Sequence, residues 1–496
     1  MLLIILEQGK KCKHIWYNES NMTNTDEKYV KALEEELQAS FEREKKLSNE
    51  NLSFAGFVGK KIKKTGLYKN IISNPDSKAG KMIRAPRTLV RMLRHPEVRK
   101  ELSQKKTVKS EFEFEFLDQH LLEPWMIDFE ERKKIALDAI KNGKKLALYY
   151  VEKPDASTFR YRCYNTFEIT KESKKWQAVY FFKKEVDEVE KLLPKASLLV
   201  FGRQSGQEKI IGRLTEIAHK NKIKVGLDID DLVFNLDYLD VVLDTINGNT
   251  NRGYWVTYFA SVKAMAEGMD FYIATNDFLA GKLKESFNKP CKNIRNSMNK
   301  GQLTASEVYL TRKEKSDKFR VGYFSGSPTH AKDFAVAEPG LLKFLQAHED
   351  AELYVVGYMR FSKAMEKLIK AKRIKFLPMM DFRKLQRAMS EVDVNIAPLV
   401  VNDFTNCKSE LKFFEAAAVE TTTIASPTYT FKNAILDGKN GFLAEPDEWY
   451  EKLEYLYKHP AENKKIAKVA REYAIENYTG KEFLKEVEEA YDYFAK

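Results

Sequence analysis

From Lys144 onward, short unbroken apolar runs alternate with stretches of helical spacing. Lys145-Leu-Ala-Leu-Tyr-Tyr-Val151 is the first run, and Glu-Lys-Pro-Asp ends it. Gln177–Phe182, Ser197–Phe201, Lys224–Asp228 and Phe271–Thr275 follow, each with the length and apolar content of a buried strand. Helical patterns lie between them, as at Glu208–Asn221 and Val256–Glu267. A second set begins after the polar stretch Thr311–Asp317, with strands predicted at Arg320–Phe324, Glu352–Val356, Ile374–Leu377, Val394–Ala397, Thr422–Ala425 and Gly441–Leu443. Helices at Ala335–His348, Phe361–Lys370 and Phe382–Ser390 alternate with these. Strands buried on both faces read as continuous apolar runs, and strand–helix alternation implies right-handed crossovers in a parallel sheet. The predicted fold class is therefore α/β: two Rossmann-like doubly wound domains facing a cleft. Asp447–Lys496 reads as helical, with Gly480 as the break.

The first 140 residues have a different texture. A charged helix is predicted over residues 23–53, with an apolar seam at Tyr29, Leu33, Leu37, Phe41 and Leu47. The seam suits self-association as a short coiled coil, and a lone solvated helix satisfies it as well. The chain carries a net charge of +12, and Lys60–Lys109 alone holds 16 Lys and Arg against 3 acids. Aliphatic anchors alternate there with cations, as in Leu89-Val-Arg-Met-Leu-Arg94, a pattern that suits an anionic membrane surface. A basic linker is the plainer reading. No nucleic-acid partner is expected, because the segment has only Phe57 and Tyr68 for stacking and no recognised motif. The expected organisation is a helical segment 1–54, a basic extension 55–140, an N-terminal Rossmann-like domain 141–312, a second one 313–475, and a terminal helix 476–496 that returns to the first.

Four widely spaced cysteines without a C-x-x-C argue against a zinc knuckle or a disulfide framework and fit a reducing compartment. No apolar run approaches the roughly 18–20 residues that span a bilayer. The expected location is cytoplasmic, peripheral at the inner face of the cell membrane.

Ligands of such sheets bind beyond the carboxyl ends of the strands, which directs attention to four stretches. Ser325-Gly-Ser-Pro-Thr-His-Ala-Lys-Asp333 follows one strand with a glycine, Gly326, a hydroxyl, Ser327, and a lysine, Lys332, in the style of a phosphate loop or a plain βα turn. Asp228-Ile-Asp-Asp231 gathers Asp228, Asp230 and Asp231 at a strand end, where like charges need a metal, a hydroxyl to deprotonate, or cationic partners. Arg160 and Arg162, in the loop after the first strand, point the same way if that loop is extended, toward those carboxylates or an anionic substrate. In Asn402–Pro427, a helix predicted over Lys408–Val419 places Lys408, Lys412 and Glu415 on one face, with Lys408 and Ser409 at its start. Two lysines and a carboxylate in that order suit a diphosphate with a sugar hydroxyl beyond it. A solvated helix face has the same spacing.

Over roughly residues 144–490 the sequence resembles the retaining, nucleotide-sugar-dependent glycosyltransferases of the GT-B fold, the group 1 or family 4 type, and within them a bacterial surface-polysaccharide branch. Tyr323–Phe334 occupies the place of the family's Gly-Arg-Leu…Glu-Lys-Gly loop, Leu353-Tyr-Val-Val-Gly357 its next strand, and Asp393–Leu399 the strand before its signature. Glu415–Ser426 matches Glu-Ala-Met-Ala-x-Gly-x-Pro-Val-Val-Ala, and Asn433–Ala444 matches the Ile-x-x-Gly-x-x-Gly-x-Leu ending. Asn296 matches the asparagine of the interdomain Pro-Asn-Gly segment.

The resemblance implies transfer of a sugar from a nucleoside-diphosphate donor to a glycan or lipid-linked acceptor, without a metal or other cofactor. Lys332 would face the diphosphate, with Lys408 and Lys412 adding charge. Glu415 would hold the ribose, and Asp230 would stand in for a catalytic-loop histidine. Gly326, Ser327 and Ser409 fall to the donor side; Arg160, Arg162, Asp228, Asp231 and Asn296 fall to the acceptor or phosphate. Cys407 replaces the first carboxylate of the family's E-x7-E pair, leaving the sugar contact to a neighbour such as Asn406, and Ser327 replaces a phosphate-binding arginine. Those departures keep a second reading open: a non-catalytic adaptor of the same fold.

Overall fold

The computed structural model describes residues 127–496 apart from short breaks at 153, 155–156, 205–206, 246–250, 312–315, 326–330, 358, 360 and 378–379. The segments expected to self-associate or to meet a membrane, 23–53 and 60–109, lie outside the described residues, as do Gly326 and Ser327.

Two six-stranded sheets organise the described residues. The first has the order β2-β1-β3-β4-β5-β6, with β1 Lys145–Val151, β2 Trp176–Phe182, β3 Leu198–Gly202, β4 Lys224–Asp228, β5 Phe271–Ala274 and β6 Cys291–Asn293. The second has the order β12-β11-β10-β7-β8-β9, with β7 Phe319–Phe324, β8 Ala351–Val356, β9 Ile374–Leu377, β10 Val394–Ala397, β11 Thr422–Ala425 and β12 Phe442–Leu443. Every pairing is parallel, for example Tyr149 beside Tyr180 and Ile396 beside Ile424. Strands β10 and β11 are buried throughout and β1 is buried beyond Lys145, as their apolar runs require. Two Rossmann-like domains of this kind are the GT-B arrangement.

Helices cover the sheets and tie them together. Helix α1, Phe129–Lys141, packs on β1 and β2, although the sequence reading assigned it to the basic extension. Its Arg132 is buried, donating to the Tyr180 carbonyl at 2.5 Å and to both Glu185 oxygens at 2.9 and 3.1 Å. Helices α2 Leu239–Thr245, α3 Arg252–Glu267 and α4 Lys300–Thr311 follow in the first half; α5 Ala331–Ala347, α6 Asp403–Asn406, α7 Leu411–Ala417 and α8 Trp449–Lys458 belong to the second. Helix α9, Pro460–Tyr478, packs on α7 and β11. The chain then breaks at Gly480, whose φ of +57° suits a residue without a Cβ.

Helix α10, Gly480–Phe494, lies on the first sheet. Tyr491 Oη meets Tyr149 Oη at 2.7 Å, Trp176 Nε1 donates to Asp492 at 2.9 Å, and Phe494 stacks on Phe271 with centroids 4.0 Å apart. The two sheet domains are thus joined both through the central linker and through this terminal return.

Candidate active-site cleft

The carboxyl ends of both sheets open onto one cavity of about 850 Å3, lined from the first domain by Thr158, Arg160, Tyr161, Arg162, Arg203, Asp230, Asp231 and Trp255 and from the second by Asp333, Phe382, Lys408, Ser409, Lys412 and Glu415. Three clusters of polar side chains stand at it.

The first is centred on Glu415, buried on α7. Its Oε1 accepts from Tyr161 Oη, from Gln302 Nε2 at 3.0 Å and from Arg160 Nη2 at 3.4 Å. Arg160 also donates to Gln302 Oε1 at 3.0 Å, and its guanidinium lies 3.9 Å from the Tyr161 ring centroid and 4.5 Å from that of Phe382. Burial holds the Tyr161 phenol well above its usual pKa, so it remains a donor to the carboxylate. Glu415 therefore belongs to both domains at once.

The second is centred on Arg162. It meets Asp228 with two hydrogen bonds, Nε to Oδ1 at 2.7 Å and Nη2 to Oδ2 at 3.2 Å, and donates through Nη1 to the Ile294 carbonyl at 2.5 Å and to Asn296 at 3.0 Å. Asn296 passes the link on, donating to Ser409 Oγ at 2.7 Å across the domain boundary. Burial pushes the Asp228 carboxyl up to about 6 against the pull of Arg162. Arginines 160 and 162 do not point the same way. Arg160–Tyr164 forms a helical turn rather than an extended loop, so residues two apart diverge, one to Glu415 and the other to Asp228.

The third cluster is built on Arg203, which the sequence reading missed. It donates to Asp230 at 2.8 Å, to Asp231 at 3.3 Å and to Tyr258 Oη at 2.5 Å. Burial opposes its charge, but Asp230 and Asp231 outweigh that and raise its pKa. Thr158 Oγ1 donates to the other Asp230 oxygen at 2.9 Å, and Lys408 Nζ pairs with Asp231. Arg203 directly follows β3, so the rule of strand carboxyl ends applied to it as it did to Asp228. Gln302, on α4, carried no such signal.

The segment around Lys408 differs from its predicted form. The helix begins at Leu411 rather than Lys408, behind the separate turn α6. Three contacts from distant parts of the chain set this break. The Asn276 amide donates to the Cys407 carbonyl at 2.9 Å, Ser409 is drawn to Asn296, and Glu410 accepts from Tyr478 Oη at 2.7 Å. Lys408 and Ser409 therefore reach the cavity from a turn, while Lys412 and Glu415 reach it from α7. The Lys412 ammonium has no hydrogen-bond partner among the described residues and sits 5.2 Å from the Tyr323 ring centroid; burial lowers its pKa.

Lys332, at the start of α5, is not among the lining residues and pairs with Asp244 of α2 instead. Cys407 is fully buried and does not line the cavity, and Asn406 spends its side-chain oxygen on the Tyr429 amide at 2.9 Å. Asp333, also unanticipated, lines the cavity and accepts from the Val400 amide at 3.0 Å. Among the described residues, no cluster of three or more His, Cys, Asp or Glu side chains is arranged to hold a metal ion. No described helix is long and apolar enough to cross a membrane.

Among curated proteins, none matches the sequence. Several solved structures align with the chain at low identity. Anabaena HepE, solved with UDP, aligns over 70% of this chain and 100% of its own, at 14% identity and a TM-score of 0.49. A glycosyltransferase from Rickettsia africae aligns over 71% and 99%, at 14% identity and a TM-score of 0.47. The pneumococcal O-GlcNAc transferase GtfA, solved with UDP and GlcNAc, aligns over 63% and 61%, at 16% identity and a TM-score of 0.44. The family described as "Glycosyl transferases group 1" matches residues 320–459, which run from β7 through α8.

Proposed function

We propose that this chain is a glycosyltransferase that moves a sugar, with retained anomeric configuration, from a nucleoside-diphosphate donor to a glycan or lipid-linked acceptor of a cell-surface polysaccharide. The observation that carries the reading is the Lys412 ammonium, buried at the cleft without a hydrogen-bond partner among the described residues. It lies within the stretch that matches the group 1 family. A desolvated cation with nothing to bond is costly unless an anion completes it.

In this reading the leaving diphosphate lies against Lys412 and Lys408, whose charges stabilise it as the glycosidic bond breaks. Glu415 faces the donor ribose from a position fixed by Tyr161, Gln302 and Arg160. Asp230 stands on the opposite wall, held between Arg203 and Thr158, where it meets the reacting sugar. The ring of first-domain side chains around Glu415 keeps the domains together and water out of the cleft. The burial of Cys407 favours a second reading, in which the fold binds a sugar nucleotide or a partner without turning it over, because no carboxylate stands at that position.

Thermal-shift screening with UDP-, GDP-, dTDP- and CDP-sugars tests the donor reading. One nucleotide class is expected to stabilise the wild type and to lose its effect in Lys412→Met and Glu415→Ala. No stabilisation by any of them would sink it. Donor hydrolysis by the same protein separates the enzyme from the binding module.

A further inference from the structure

Beside the main cavity, a second one of about 130 Å3 opens above β1, β3 and β4, bounded by Glu152, Thr158, Arg162, Arg203, Gln204 and Asp228 among others. One water needs roughly 10–15 Å3 of such space, so the cavity is about ten waters too large to be a hydration site for one group. Thr158, Arg162 and Arg203 line both cavities, making the smaller one a side chamber of the cleft.

Its unexplained group is Gln204. The side chain is 6% exposed, and neither its amide nitrogen nor its amide oxygen has a hydrogen-bond partner among the described residues. Leaving one such buried group unsatisfied is costly, and here donor and acceptor are both left on one side chain. The cations of the chamber are already neutralised: Arg162 by Asp228, and Arg203 by Asp230 and Asp231.

We infer that this chamber is an acceptor subsite for an uncharged sugar, in which Gln204 receives one hydroxyl and donates to another. The inference rests on the transferase reading and names the end of the acceptor that enters the cleft. An amide offers a donor and an acceptor side by side, which matches adjacent hydroxyls of a pyranose. A phosphate would require a free cation, and both arginines of the chamber are engaged. A sugar seated on Gln204 has Thr158 as its neighbour on the way to the main cavity, and Thr158 holds Asp230. Gln204 is then a specificity-determining residue, and Asp230 lies beside the entering hydroxyl.

The test uses the full chain and saturation-transfer NMR with methyl glucoside, methyl galactoside and methyl N-acetylglucosaminide, with glycerol 3-phosphate as the charged comparison. At least one glycoside is expected to bind the wild type, and Gln204→Leu is expected to weaken it at least tenfold while leaving nucleotide-sugar stabilisation unchanged. If Gln204→Leu does not fold, Gln204→Asn, which withdraws the amide by one methylene, is expected to weaken the same signal several-fold. Undiminished glycoside binding in the folded variant overturns the inference. So does a preference for glycerol 3-phosphate, or wild-type protein that is stabilised by a nucleotide sugar but binds none of the glycosides. Loss of nucleotide-sugar stabilisation in the wild type, with glycoside binding intact, would instead remove the donor reading and leave the sugar site standing.

Discussion

The pairing of Lys408 with Asp231 places a carboxylate of the first domain on one of the two lysines assigned to the donor diphosphate. A donor that reaches Lys408 must displace Asp231, so Asp231→Asn should tighten nucleoside-diphosphate binding. The side chains are 30% and 22% exposed, close to the surface pairs whose coupling runs up to about 1 kcal/mol. At about 1.4 kcal/mol per factor of ten, the gain is about fivefold in Kd. Asparagine still accepts from Arg203 through its side-chain oxygen, so the geometry of that cluster is retained. Isothermal titration with the nucleoside diphosphate that stabilises the wild type measures the effect. Lys408→Ala should abolish the gain, so the double variant binds no better than Lys408→Ala alone. Equal or weaker binding by Asp231→Asn, or the same gain in both backgrounds, would refute internal competition. Asp244→Asn makes the contrast: Lys332 and Asp244 are 39% and 77% exposed, and the same change should move Kd by less than about twofold.

Lys412→Met removes a buried, unpartnered charge and should raise the urea midpoint, by an amount of order 1 kcal/mol, while abolishing nucleotide stabilisation; lower stability would mean the ammonium is already satisfied. Asp228 has a folded pKa raised from 3.8 to about 6, so its contribution to stability is fully present below 3.8 and is lost as pH rises through about 6. Asp228→Asn should flatten that part of the stability–pH profile. It should also remove any fall in donor binding below about pH 6, where protonation takes the counter-ion from Arg162. Gly340→Ala tests the packing of α5 on α8: a new Cβ would lie 2.7 Å from Trp449 Cβ and 2.7 Å from the Tyr450 amide nitrogen. The crowding should cost about 1–3 kcal/mol, more than the roughly 1 kcal/mol that alanine gains in a helix, and a denaturation midpoint at or above wild type would contradict that close approach.

What could be read from sequence follows from how each feature is held. The strands β1, β4, β10 and β11 were legible to within a residue because burial on both faces demands an unbroken apolar run. Strand β6, Cys291-Lys-Asn293, was not: at the edge of its sheet it carries no such run, and only its pairing with β5 makes it a strand. The site divides in the same way. Asp228, Asp230, Asp231 and Arg203 follow strands whose ends place them, so position alone brings them to the cleft. The start of α7 is decided by Asn276, Asn296 and Tyr478, each more than 60 residues from its contact in the Cys407–Glu410 turn, and local helix preference has no access to them. The same holds for Glu415. Its spacing from Lys408 and Lys412 suggested a helix face, but its orientation comes from Tyr161, Gln302 and Arg160 in the other domain. A carboxylate held in this way cannot keep its contacts if the domains separate, so opening of the cleft and exposure of Glu415 are one event. The residue expected to read the donor is therefore also the residue that reports whether the cleft is closed.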